Sequence, residues 1–217
     1  MRRRALLASI ASSSLLVGCL ANAPQSSGTT PTPPITAEDG VQRLVTLGSV
    51  DDVDDTHDVN IDVGLVTGRI TTDQPARLRI TTTNLGERRL LSAGEERCGL
   101  FNRSRGKSSP QGLWLYRTEE TEPFEREGTR WRRVADDQTG DCSHGSANFA
   151  CSPRPYDSGE SVTTEYVVWS DYCVDEYMTP GTYRWEVPVA VYDAEATGTD
   201  EPTAEFDWGF SLRVERS

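Results

Sequence analysis

Phe206-Asp207-Trp208-Gly209-Phe210-Ser211-Leu212-Arg213-Val214 carries an apolar residue at every second position and a polar residue or glycine between them. In extended backbone successive side chains point to opposite faces, so Phe206, Trp208, Phe210, Leu212 and Val214 share one face, whereas a helix would scatter them around its circumference. The stretch is a strand with one face in a core. Residues 182–192 repeat the pattern, with Tyr183, Trp185, Val187, Val189 and Val191 on one side and Arg184, Glu186 and Pro188 on the other. Proline has no N–H to donate to a ladder, so a bulge or an unpaired position is expected at Pro188.

Moving outward, Ala76, Leu78, Ile80 and Thr82 alternate with Arg77, Arg79, Thr81 and Thr83, and the turn residues Asn84-Leu85-Gly86-Glu87 lead into Arg88-Arg89-Leu90-Leu91. The same test marks strands at 59–65, 113–117, 129–134 and 161–169, and no long stretch keeps helical period. A chain of 217 residues with 35% hydrophobic content has material for one modest core. Short strands at this spacing predict an all-β antiparallel sandwich of roughly seven to nine strands. It is expected to occupy residues 41–217, with an inserted loop at about 99–158.

Residues 1–18, MRRRALLASIASSSLLVG, have a basic start and an apolar stretch shorter than the roughly 20 residues that span a bilayer, the pattern of an export signal. Leu16-Val17-Gly18-Cys19 resembles the lipobox of bacterial and archaeal lipoproteins, which implies cleavage before Cys19 and a lipid on its thiol. Arg2-Arg3-Arg4-Ala5-Leu6-Leu7 also resembles a twin-arginine signal. Residues 19–40 are rich in Ser, Thr and Pro and read as a tether. Apart from Cys19, four cysteines remain, Cys98, Cys142, Cys151 and Cys173. An even number in an exported chain reads as two disulfides, and a four-thiolate zinc site is the alternative, although no CxxC pair is present.

Residues 159–183, GESVTTEYVVWSDYCVDEYMTPGTY, followed by Trp185-Glu186-Val187 and the closing WGFSLRVE, resemble the C-terminal half of an immunoglobulin-like domain. In particular they resemble small lipoproteins of halophilic archaea, whose sandwich is similar to the BsuPI type of proteinase inhibitor. The resemblance implies that Tyr183, just after Pro180-Gly181, is a tyrosine-corner residue bonding backbone with its hydroxyl. It also implies that Cys98 meets Cys173 at one end of the sandwich, leaving Cys142 and Cys151 to staple the inserted loop.

The chain has 34 acidic residues against 22 Lys plus Arg, and Arg2, Arg3 and Arg4 precede Cys19, so the mature charge is about −15. Such a surface repels phosphate backbones, so no nucleic-acid partner is expected. Lys107 is the single lysine. Acidity with almost no lysine suits solubility in concentrated salt, and a GC-rich genome would account for the lysine alone.

No catalytic residues, metal or cofactor are expected. Asp58-Val59-Asn60-Ile61-Asp62 has alternating oxygen ligands, but an EF-type loop needs Gly and Glu where Val63 and Arg69 stand, and a strand with a wet acidic face explains the same residues. Gly106-Lys107-Ser108 lacks the earlier glycine of a phosphate loop, since Phe101 occupies that position. His57 and His144 have no recognisable nucleophile beside them. Arg126, Arg130, Arg132 and Arg133 surround Trp131, and Arg103, Arg105 and Lys107 form a second basic island. These read as an outward strand face with acidic cross-strand partners or as a patch for an acidic partner. Asn102-Arg103-Ser104 is a glycosylation sequon.

These features predict a lipid-anchored, non-catalytic module for recognition or support on the outer face of the cell membrane, with an unidentified protein or envelope partner. A BsuPI-like inhibitor of a secreted protease and an extracytoplasmic hydrolase are the alternatives. Self-repulsion at this charge predicts that the unfolding midpoint rises with salt, because the screening length contracts from about 10 Å at 0.1 M to about 3 Å at 1 M. Thermal unfolding at the two salt concentrations checks it, and a midpoint that does not rise contradicts the adaptation to salt.

Overall fold

The computed structural model describes residues 41–93, 106–121, 124–134, 155–197 and 200–217, which fall in one compact unit. Among them are eleven strands: β1 (Val41–Val50), β2 (Val59–Thr67), β3 (Arg69–Thr71), β4 (Arg77–Asn84), β5 (Arg89–Ala93), β6 (Gly106–Lys107), β7 (Leu113–Arg117), β8 (Pro155–Tyr156), β9 (Ser161–Ser170), β10 (Gly181–Asp193) and β11 (Ala204–Arg216). They form two antiparallel sheets, one ordered β3-β1-β11-β10-β5-β8 and the other β2-β4-β9-β7-β6. The fold is all-β. The excess over the expected seven to nine strands comes from β3, β6 and β8, which have two or three residues each, too few for alternation to register.

The alternating faces of β10 and β11 are the floor of the core. Tyr183, Trp185, Val189, Val191, Trp208, Phe210, Leu212 and Val214 are all buried, and Trp185 stacks on Phe210 with centroids 5.5 Å apart. Opposite them the second sheet contributes Leu78, Ile80, Leu113, Leu115, Tyr166 and Val168 to the same cluster. Losing one of the large rings from such a site costs about 3–5 kcal/mol.

Pro188 causes no bulge but is unpaired on one side, the other form expected of it: β10 and β11 stay in register through Pro188↔Asp207, and the ladder from β10 to β5 starts one residue later at Val189↔Ala93. The proline marks the end of that second ladder. Residues 129–134 are irregular and not a strand, and among the described residues their one backbone bridge to a sheet strand is Arg132↔Ser170. Their alternation serves ring stacking and carbonyl capping instead. Finally, the segment expected to be an inserted loop carries, besides the expected strand β7, the short strands β6 and β8 at the edges of the two sheets.

β1 is the strand that alternation does not reveal. Its inward file contains Arg43 beside Val45 and Leu47, and the guanidinium escapes burial of its charge by donating to the carbonyls of Met178 and Tyr177 at 2.8 and 3.0 Å. Between β2 and β3 the chain leaves one sheet for the other at Gly68, whose carbonyl accepts from Val45 N at 2.8 Å. A Cβ there would lie 2.1 Å from the Val45 carbonyl oxygen, so only glycine permits the switch.

Candidate functional site

The two ends of the sandwich differ in construction. At the end where β1 and β10 begin, backbone and side chains lock into a closed corner. Tyr183 donates its hydroxyl to the carbonyl of Thr179 at 2.6 Å. Met178 is fully buried with a positive φ of 42°, and its N–H donates to Ser170 Oγ at 3.3 Å. Asp171, also fully buried, accepts from Gln111 Nε2 and from Cys173 N, each at 2.9 Å, which fixes the turn that follows β9.

Residues 124–134 lie against the outer face of the second sheet here and create a second small core. Tyr116, Val167 and Trp169 are buried beneath Phe124 and Trp131. The rings meet edge to face, Tyr116 on Phe124 at 4.8 Å and Trp131 on Trp169 at 5.6 Å, the arrangement that ring quadrupoles favour. The arginine cluster is not the outward strand face expected of it. Arg126 lies 4.2 Å over the Trp131 ring and Arg133 4.7 Å over Phe124. Arg132 donates to the carbonyls of Tyr172, Val174 and Asp175. The one carboxylate in ionic contact with this group among the described residues is Glu127. The guanidiniums are thus engaged in holding the loop down, and the cleft of about 290 Å³ between Arg132, Arg133 and Tyr172 is what remains beside them.

The opposite end is open. A cleft of about 710 Å³ is lined by Asp58, Leu85, Arg88, Arg89, Tyr192 and Asp193, among others. Asn84 shapes it: the buried amide donates to the carbonyls of Glu87, Tyr156 and Asp157 at 2.9, 2.9 and 3.1 Å, and its oxygen accepts from Gly86 N at 3.2 Å. With the turn tied inward, Leu85 is left 58% exposed. An apolar residue inside a turn was the available sequence signal, and alternation, which reads strands, passes over it. Arg89 is held by the His57 carbonyl at 3.2 Å and by Asp58 at 3.6 Å, and Arg88 by Asp157 at 3.4 Å. The cleft therefore sets Leu85, Val191 and Tyr192 among mostly polar residues, with Arg88 and Arg89 paired to carboxylates. Its size is that of a ligand pocket, but small-molecule pockets are lined mainly by apolar side chains, so the chemistry suits a polar partner surface.

The other sequence candidates are dispersed. Asp58 caps a single 3-10 turn, Asp55–His57, and Asn60 and Asp62 are on the wet face of β2. Within that turn the Thr56 side chain and amide both stabilise ionised Asp54 and hold its carboxyl below the usual range. His57 stacks on Phe206 at 4.4 Å. Gly106-Lys107-Ser108 forms β6 and its turn, where Ser108 Oγ donates to the Pro110 carbonyl at 2.7 Å and accepts from Leu113 N at 3.1 Å. Among the described residues, no three His, Cys, Asp or Glu side chains converge as a metal site. Cys173 is half-buried, and Cys19, Cys98, Asn102, Cys142, His144 and Cys151 lie outside the described residues. No family model, curated protein or solved structure matches the chain.

Burial pushes the phenols of Tyr116, Tyr177 and Tyr183 up from their ordinary value of about 10. A group whose folded pKa is raised binds its proton more tightly in the native state. Its stabilisation is complete below about pH 10 and is lost as pH climbs from there toward the folded value. Denaturant unfolding measured at about pH 9 and about pH 11 is expected to show that decline, and Tyr116→Phe to flatten it. Equal slopes in the two proteins would separate Tyr116 from the effect.

Proposed function

We propose that this chain is an exported, lipid-anchored immunoglobulin-like module that is held to the membrane through Cys19 and recognises a protein or envelope partner with its open end. The strand order supports the immunoglobulin-like reading. Taking β2, β4, β5, β7, β9, β10 and β11 as strands A to G, the sheets read ABED and CFG, and Tyr183 stands near the start of strand F where a tyrosine corner belongs. The same order supports a bridge from Cys98 to Cys173. β4 and β9 are antiparallel and β5 runs back from β4, so the chain after Ala93 and the chain after Ser170 leave toward one end.

The position of the cleft carries the proposal. It lies where β10 ends and β11 begins, whereas the start of β1 lies beside the end of β11, with Arg43 opposite Arg216. β10 has 13 residues and, at about 3.3 Å each, sets the two ends about 40 Å apart. A tether of about 20 residues, flexible or partly extended, has in its flexible limit a root-mean-square reach of about 25 Å. An anchor at Cys19 thus favours the closed corner facing the membrane and the cleft facing outward. In immunoglobulin variable domains the loops between strands B and C and between F and G line the binding end, and those are the loops that border this cleft.

Two experiments on cells test the two halves of the proposal. Wild-type protein is expected to float with membranes and to carry a thioether lipid on Cys19, and Cys19→Ser to lose both properties. A photoreactive residue at Leu85 is expected to give a discrete adduct with an envelope component, and one at Thr163, on the outer face of the second sheet, to give none. Lipid-free wild type starting at another residue overturns the anchor. An adduct from Thr163 and none from Leu85 overturns the recognition end.

A further inference from the structure

Among the described residues the two sheets have four edges, three of them strands of two or three residues, β3, β8 and β6. The fourth is β2, nine residues long and, among the described residues, paired only with β4. Long unpaired edges template the addition of another strand, and proteins that must avoid this place prolines, several charges or bulges along them. β2 has no proline and one charge, Asp62, and its register break falls at its far end, between Leu65 and Thr67. The edge is therefore regular from Val59 to Leu65. Val59 and Ile61 are buried toward the core and Asn60 and Asp62 exposed on the outer face.

We propose that this edge pairs antiparallel with β2 of a second copy, about a two-fold axis at Ile61. Three constraints select that register. Directly opposed residues of an antiparallel pair point to the same face, and a two-fold axis normal to the sheet preserves faces, so core-facing residues must oppose core-facing ones and the axis passes through a residue. Full overlap of the regular edge puts it at Asp62 and opposes two carboxylates, which is destabilising. An axis at Val63 draws the irregular end of the strand into the ladder. An axis at Ile61 avoids both faults and sets Asn60 opposite Asp62 of the second copy, twice. Within one chain Asn60 Nδ2 already donates to Asp62 Oδ2 at 2.5 Å, so the amide and carboxylate are placed on the edge as donor and acceptor. With a formal charge of −12 per chain the copies repel in dilute buffer, and the pairing forms when salt screens that repulsion.

Sedimentation velocity of the full chain in a mild detergent, at about 0.1 M and about 1 M salt, tests the pairing. The expected result is monomer at the lower salt and dimer at the higher. Asn60→Asp, which sets carboxylates opposite each other at both positions, is expected to weaken the dimer about tenfold, and Asn60→Lys to preserve it at lower salt. Residue 60 is exposed, and unchanged thermal unfolding of the monomer verifies that either variant is folded. Monomer at both salt concentrations, or a dimer indifferent to both substitutions, overturns the proposal.

Discussion

The burial of one face of the β10–β11 pair is the interaction on which this sandwich depends. Eleven consecutive register pairs, from Gly181↔Val214 to Val191↔Ala204, hold the two strands together without a break. That long ladder turns two alternating sequences into one apolar surface with Trp185, Trp208 and Phe210 at its centre. β1 attaches to one side of the pair and β5 to the other. The second sheet lies over the surface because Leu78, Ile80, Tyr166 and Val168 have no other place to leave water. The outer faces of the same strands follow from this arrangement. Gly209 is buried beneath Arg184, which pairs with both Asp51 and Glu186, so a cation sits where a side chain on residue 209 would otherwise stand.

The aromatic cluster at Trp169 is a different solution to the same problem. On its outer face the second sheet is polar toward β2, where Thr81 and Thr83 pair with Thr163 and Ser161 through their hydroxyls. Toward β7 it is aromatic, and exposed tryptophan there would cost solubility. Residues 124–134 cover it with Phe124 and Trp131, and the arginines between them stack on the rings and cap carbonyls. Half-buried guanidinium–ring contacts of this kind contribute on the order of 0.5–2 kcal/mol each. The basic cluster is therefore explained by local packing, and the open cleft at the other end is the better candidate for recognition.

Long strands with a clean alternating file were legible in the sequence: β2, β4, β7, β9, β10 and β11 stand within two residues of their expected bounds. What escaped has a physical reason in each case. β1 hides an arginine in its inward file and removes the charge through carbonyls more than a hundred residues away. β6 and β8 are held by pairing with β7 and β5, and two residues have no period of their own. The segment 129–134 has the pattern of a strand, but its Trp131 indole donates to the Thr71 carbonyl at 2.7 Å, a tertiary contact no local pattern encodes. The open cleft was invisible because it is assembled from the turn after β4, the end of β10 and the approach to β11.

An immunoglobulin-like module needs its strands in one connectivity, and that connectivity is the central claim, because the positions of the open end and of the closed corner follow from it. Peptide mapping of the unreduced protein is the most direct measurement. With β4 and β9 antiparallel and β5 returning beside β10, β5 and β9 run toward the same end, and the map is predicted to contain Cys98 linked to Cys173 and Cys142 linked to Cys151. Cys98 linked to Cys142 or to Cys151 would contradict the strand order, and with it the assignment of the open end as the recognition end.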